Sequence, residues 1–141
     1  MLDVNTNMSL GTLDCRSNQL STLDLSTNTR LYKLICHDNQ LSTLNLSTNT
    51  KIRELWCGYN KSAALVLNPN IKLWLLSCEN NFLPLSDLFA ASEILKNSEA
   101  KIYNKFLGNQ TLPAQTITLG TTLEFPVLQN VFNSIYTKYL P

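Results

Sequence analysis

Four cysteines are the side chains of this sequence best suited to chemistry, because a thiolate can attack an electrophile, bind a metal ion or form a disulfide. Their spacing argues against all three roles. Each cysteine follows the previous one by 21 residues, at Cys15, Cys36, Cys57 and Cys78. If they occupy one point of successive stacked coils, their Cβ vectors run parallel, which disfavours a disulfide. We therefore predict free, buried thiols that act as small apolar side chains.

The single histidine, His37, follows Cys36 directly. Consecutive side chains of a strand point to opposite faces, so a Cys–His nucleophile pair is excluded there. A metal site that used His37 with Asp38 or Glu79 would hold one nitrogen ligand and two distant carboxylates, which is a weak set. We therefore predict that His37 is a solvated surface residue and that the chain has no metal site.

A carboxylate pair for glycoside hydrolysis could in principle be built from Asp14 and Glu54. These residues would lie two coils apart on an open sheet, with no apolar wall to raise the pKa of either. The four glycines are too dispersed to form a phosphate-binding loop. We therefore predict that the protein has no cofactor and is not an enzyme.

The elements that position these residues follow from the same 21-residue period. Residues 31–50 read L-x-x-L-x-C-x-x-N-x-L and then a near copy, L-x-x-L-x-L-x-x-N. A fixed period with one repeated apolar set predicts a solenoid, and this pattern is that of a leucine-rich repeat. Each half of a coil is expected to form a short parallel strand. The repeated asparagines are expected to satisfy backbone groups at the bends, in a column formed by Asn18, Asn39, Asn60 and Asn81.

The predicted fold class is an α/β-type repeat solenoid with a C-terminal cap helix and a short β-prone tail. Residues 1–85 form about four turns, the first of them truncated, and residues 86–104 form the cap helix and a connection, with Ser86 as N-cap. Residues 105–141 form the tail, or the start of a truncated module, in which residues 128–140 fit either a helix or a strand. Because the chain opens in mid-repeat, we expect a fragment of a longer protein, and self-association through its uncapped first coil.

Composition restricts the partners. The chain has 141 residues and a net charge of +1, with basic residues that look scattered along the sequence. Lys51 and Arg53 are the only close pair of positive charges on one turn, so we predict no nucleic-acid partner. The apolar runs are far shorter than the ~20 residues of a membrane span, so no membrane insertion is predicted.

The repeats resemble those of short leucine-rich-repeat surface proteins of Gram-negative gut bacteria, in which the cysteine-containing half alternates with Leu-x-x-Leu-Asp-Leu-Ser-x-Asn-Thr over 21 residues. The resemblance covers Leu2 to about Leu85, and the segment from Leu107 to Gly120 looks like the linker that joins such repeats to β-rich modules. The resemblance implies an extracellular or cell-surface location and a role in adhesion or recognition.

The predicted ligand-binding face consists of the side chains between the inward leucines and cysteines, which point outward from the strands. Trp56 is its central candidate, because an outward aromatic side chain beside Ile35 and Tyr59 makes the kind of apolar anchor that binding hot spots use. Equally, Trp56 could shield the sheet or pack on the tail, while Tyr32 and Trp74 are expected to pack structurally at the strand edge. The full candidate set is Trp56, Tyr59, Ile35, Lys33, Glu54 and His37.

The function that these features predict is non-catalytic recognition or adhesion. The expected ligand is a protein first and a carbohydrate second. The alternative is a structural spacer that holds other modules away from a surface. These hypotheses differ in one respect, since substitutions on the sheet of a spacer would change no binding.

Overall fold

The computed structural model describes residues 2–96 and 104–106, which form stacked coils that pass through two parallel sheets. The larger sheet has the strand order β1-β2-β4-β6-β7 and the smaller one pairs β3 with β5. The elements are β1 (Thr12–Asp14), β2 (Lys33–Ile35), β3 (Leu44–Leu46), β4 (Glu54–Trp56), β5 (Leu65–Leu67), β6 (Leu75–Ser77), α1 (Leu85–Lys96) and β7 (Asn104–Phe106). The predicted leucine-rich-repeat solenoid with parallel strands and a cap helix is confirmed.

The strand register reproduces the sequence period. Leu34 pairs with Leu55, and Leu55 with Leu76, so each inward position stacks on its equivalent in the next coil. Leu34, Leu55 and Leu76 are fully buried, as are Leu31 and Ile52, which lie three residues before Leu34 and Leu55. Removing such a side chain from water stabilises the fold by about 1.5–3 kcal/mol. The repeated interior is therefore the main source of stability.

All four cysteines are free and buried in this interior, as the sequence predicted. Burial lessens toward the first coil, where Leu10 and Leu13 are only partly covered while their counterparts Leu31 and Leu34 are fully buried. Among the described residues, these side chains are covered by a complete coil on one side only. The predicted self-association through the first coil stays a prediction.

The asparagine column forms a hydrogen-bonded ladder between coils. The Nδ2 of Asn60 donates to the carbonyl oxygens of Cys36 and Cys57, at 3.0 and 3.2 Å. Its Oδ1 accepts from the buried amide of Leu41, at 3.0 Å. Asn39 and Asn81 repeat this arrangement in the neighbouring coils. The predicted structural role of the asparagines is confirmed.

The cap helix begins one residue earlier than the sequence predicted. The carbonyl of Pro84 accepts the amides of Asp87 and Leu88, so Ser86 lies inside the first turn and is not the N-cap. The carboxylate of Asp87 instead accepts from the amide of Leu65 at 2.9 Å, which ties α1 to β5. Within the described residues, the structure has no helix that could cross a membrane.

The five-stranded sheet continues past the helix, because β7 pairs with β6 in parallel and Phe106 lies opposite Ser77. The predicted tail from residue 107 onward, including the helix-or-strand segment 128–140, lies outside the described residues. The predicted domain boundaries stay predictions.

Candidate functional site

The exposed face of the five-stranded sheet brings four of the six predicted site residues together. The register places Lys33 beside Glu54, and Ile35 beside Trp56, on the adjacent strands β2 and β4. All four side chains are partly exposed while Leu34 and Leu55 between them are fully buried. The predicted inward and outward alternation is confirmed at these strands.

Two pairs of polar side chains on this face lie in close contact. Lys33 Nζ lies 2.6 Å from Glu54 Oε2, and His37 Nδ1 lies 2.6 Å from Asp38 Oδ2. Partly exposed pairs of this kind contribute little stability. In the Lys33–Glu54 pair each charge is already compensated, which reduces its attraction for a charged ligand.

Trp56 has its ring partly exposed and its polar atom hidden. The indole Nε1 is buried and has no hydrogen-bond partner among the described residues. An unpartnered buried donor costs about 1–3 kcal/mol. The part of Trp56 that a ligand could meet is therefore apolar ring surface. Its two predicted roles, as an anchor and as a shield, stay predictions.

Tyr59 follows β4 at the bend and is the most exposed aromatic side chain of the site, at 55%. Its φ is 52°, and the equivalent positions of the other coils, Ser17, Asp38 and Asn80, have φ of 54°, 55° and 54°. Asp and Asn tolerate this left-handed conformation, but for a bulky side chain it costs roughly 1–2 kcal/mol. Tyr59 therefore occupies a strained position without being buried.

Gly58 makes room for a carboxylate beside Tyr59. A Cβ at this buried position would lie 2.8 Å from both Cδ and Oε1 of Glu79. The Glu79 carboxylate accepts a hydrogen bond of 2.8 Å from Ser77 Oγ, and the Glu79 carbonyl accepts the Tyr59 amide at 2.8 Å. The sequence indicates this contact only by placing glycine at a position where the other coils carry Arg16, His37 and Glu79.

The thiols are unsuited to nucleophilic chemistry. Burial, with a smaller contribution from the Asp14 charge, raises the pKa of Cys15 to about 11. Burial and the nearby Glu79 charge raise the pKa of Cys78 to about 12, and burial raises that of Cys57 well above its ordinary value. The described residues also contain no cluster of three or more histidine, cysteine or acidic side chains that could hold a metal ion.

Three basic residues form a row across the coils, so the prediction that the basic residues are scattered is wrong. Arg30, Lys51 and Lys72 are all exposed and occupy equivalent positions of three successive coils, three residues before the paired Lys33, Glu54 and Leu75. The 21-residue period carries this signal, but it is visible only when the coils are aligned.

A second row of residues lies beside the basic row, at the N-terminal ends of strands β2, β4 and β6. Tyr32 and Trp74 are each 40% exposed, and their rings meet edge to face with centroids 5.7 Å apart. The two rings pack on each other, in keeping with the predicted structural role, but both stay partly exposed to solvent. Arg53 lies in the coil between them and donates through Nη1 to the Ile52 carbonyl at 3.1 Å. We call these two rows the edge surface, which comprises Arg30, Lys51, Lys72, Tyr32, Arg53 and Trp74.

Comparison with solved structures supports the repeat architecture. The chain is similar to the functional domain of InlJ from Listeria monocytogenes, which includes a cysteine ladder, with a TM-score of 0.60 and 34% identity over 65% of this chain. The match covers 21% of the InlJ chain, so this protein spans about a fifth of that structure. No protein-family model matches the sequence, and no curated protein matches it.

Proposed function

We propose that this protein is a non-catalytic recognition module that binds a protein ligand on the exposed face of the five-stranded sheet. Tyr59 and Trp56 supply the apolar contact, and Ile35, Lys33, Glu54 and His37 surround it. Support comes from a repeat architecture suited to extended binding surfaces and from the similarity to the functional domain of InlJ, which includes a cysteine ladder.

The observation that carries the proposal is the strained, exposed Tyr59. Its left-handed backbone disfavours a large side chain, and its 55% exposure means that packing returns little of that cost. Strained residues of this kind cluster at functional sites. Tyrosine is also one of the residues that dominate binding hot spots.

The rigidity of the face supports the same proposal. Backbone hydrogen bonds connect the coils here: Asp38 N donates to the Gly58 carbonyl at 3.2 Å, and Tyr59 N donates to the Glu79 carbonyl at 2.8 Å. A pre-organised surface loses less conformational freedom when it binds.

We further propose that the module acts in adhesion at a bacterial surface, a step that rests on the resemblance of its repeats to those of bacterial surface proteins.

The test is a screen of protein and glycan arrays with the wild type and with Tyr59→Asn and Trp56→Ala. Tyr59→Asn keeps a residue that tolerates the left-handed backbone, so it removes the aromatic ring without threatening the fold. Phe82→Gln is the matched control, because it removes an exposed aromatic side chain at a position where two other coils carry Gln19 and Gln40.

A protein ligand lost with Tyr59→Asn and Trp56→Ala, but kept with Phe82→Gln, is the expected result. Binding that is unchanged in both sheet variants would overturn the proposal and favour a structural spacer. A ligand found only on the glycan array would favour a carbohydrate-binding face, in which Trp56 stacks on a sugar ring.

A further inference from the structure

We propose that the edge surface is a second docking site, which binds an acidic segment of a partner protein. It goes beyond the function proposed above, because it uses none of the residues of the sheet face. The inference is drawn from the charge, the side-chain types and the ring geometry of two adjacent rows.

The first observation is an uncompensated row of positive charge. Arg30, Lys51 and Lys72 are exposed, and none of the ion pairs among the described residues involves them. Arg53 beside them bonds only backbone carbonyls, those of Thr50 and Ile52. Lys33 of the sheet face is paired with Glu54, whereas the basic residues of the edge have no such partner in the described part of the chain, so an anionic ligand is attracted to the edge.

The second observation is the kind of residue in the neighbouring row. Tyr32, Arg53 and Trp74 follow one another on successive coils, with Arg53 N bonded to the Tyr32 carbonyl at 2.8 Å and Trp74 N to the Arg53 carbonyl at 3.0 Å. Trp, Tyr and Arg are the three residue types most enriched at protein–protein hot spots. A partner segment that suits both rows combines carboxylates with an apolar side chain.

The ring geometry favours a protein over a glycan or a nucleic acid. Successive bases of a single strand bind by stacking on aromatic side chains, which for neighbouring stacked rings requires faces that lie roughly parallel. The Tyr32 and Trp74 rings are perpendicular, at 90°, so they cannot offer two parallel platforms. The basic row also spans only two strand spacings, or ~10 Å, which is short for a strand of nucleic acid.

Two main-chain acceptors of the edge, the carbonyls of Tyr32 and Arg53, are already occupied. The Tyr32 carbonyl accepts the amides of Arg53 and Glu54, and the Arg53 carbonyl accepts those of Trp74 and Leu75. A partner would therefore bind through side chains: its carboxylates to the guanidinium and ammonium groups, and its apolar residue to the exposed aromatic pair.

Tryptophan fluorescence can test this site separately from the sheet face, because the chain has only two tryptophans. In Trp56→Phe the emission reports on Trp74 alone, and in Trp74→Phe it reports on Trp56 alone. The probe is a glutamate–tyrosine copolymer, titrated into the whole chain at low and at physiological salt. A heparin oligosaccharide and a single-stranded oligothymidylate test the other polyanion classes, and a lysine–tyrosine copolymer controls for non-specific contact.

Charge neutralisation gives the matched control. Lys51→Gln should weaken copolymer binding roughly two- to fivefold, the range expected for one exposed ion pair. Lys61→Gln removes the same charge from an exposed lysine of the same coil, which contacts Gln40 rather than the edge, and should leave affinity unchanged. The triple variant Arg30→Gln, Lys51→Gln and Lys72→Gln should lose about tenfold or more, with a reduced salt dependence.

The expected result is a change in Trp74 emission with the acidic copolymer, lost in the triple variant, while urea unfolding of that variant matches the wild type. Three results would overturn the proposal: equal effects of Lys51→Gln and Lys61→Gln, no effect of the triple variant, or tighter binding of heparin or oligothymidylate than of the copolymer. Loss of array binding in Tyr59→Asn with unchanged copolymer binding would show that the two sites stand independently.

Discussion

Replacing Asn60 with alanine should destabilise the protein far more than the same substitution at Asn18. Both residues hold the same position of the repeat, but Asn60 is buried between two coils and Asn18 is exposed. Asn18 Nδ2 donates to the Cys15 and Arg16 carbonyls of its own coil, at 3.0 Å each. The pair therefore separates the contribution of the inter-coil ladder from that of the residue type.

The magnitude follows from which groups lose their partners. Without the Asn60 side chain, the buried Leu41 amide loses its acceptor, at a cost of about 1–3 kcal/mol. The Cys36 and Cys57 carbonyls keep one amide each, from Asn39 and Asn81, so they contribute less. Adding about 1 kcal/mol for the lost side-chain bonds gives a total near 3 kcal/mol for Asn60→Ala.

For Asn18→Ala the expected loss is below about 1 kcal/mol, because exposed carbonyls can bond water instead. The assay is urea unfolding followed by circular dichroism, with the free energy of unfolding extrapolated to water. Equal losses in the two variants, or a loss below about 1 kcal/mol for Asn60→Ala, would refute the reasoning that the ladder stabilises contacts between coils.

Three further predictions concern the same coil. Tyr59→Asn should raise the free energy of unfolding by about 1 kcal/mol in urea, because it relieves a left-handed tyrosine. The contribution of the thiols to stability should be constant below about pH 8, and stability should fall above about pH 9, because the unfolded thiols ionise there while burial raises the folded pKa of Cys57 well above its ordinary value. Gly58→Ala should cost about 1–2 kcal/mol in the same assay, because its Cβ would displace the Glu79 carboxylate.

Each of these has an internal control. Asn80→Gln places a longer side chain at the equivalent left-handed position and should not raise the free energy of unfolding. An increase equal to that of Tyr59→Asn would contradict the argument that Tyr59 is strained. Cys15→Ala should make the fall with pH shallower, because one ionising thiol is gone; an unchanged slope would contradict the linkage. Adding Glu79→Ala to Gly58→Ala should restore part of the loss, and a fully additive double variant would show that the predicted contact does not exist.

The interior of this protein could be predicted from its sequence because burial repeats with the coil. Leu34, Leu55 and Leu76 stack on one another, so one pattern specifies all of them. The free cysteines and the asparagine ladder followed from the same rule. The start of α1 was misplaced by one residue, since the proline carbonyl, rather than the Ser86 hydroxyl, accepts the first helical amides.

The charge distribution of the surface could not be predicted as well, because it depends on which neighbours meet across coils. The pairing of Lys33 with Glu54 required the register between β2 and β4. The row of Arg30, Lys51 and Lys72 was missed because charges were compared along the chain rather than across the period. Asp38 and Asn80 are residue types that tolerate a left-handed backbone and so indicate the bend, whereas Tyr59 is not.

The coil that contains β4 is where both proposed sites converge. Its inward residues Ile52, Leu55 and Cys57 keep the repeat, whereas several outward residues depart from it: Arg53 in the coil between those of Tyr32 and Trp74, Trp56 with a buried indole nitrogen, and Gly58 under the Glu79 carboxylate. In a solenoid each coil is stabilised by its neighbours, so outward positions can change with little effect on the fold. Recognition by this protein is therefore expected to centre on this coil, together with residues of the two coils that enclose it.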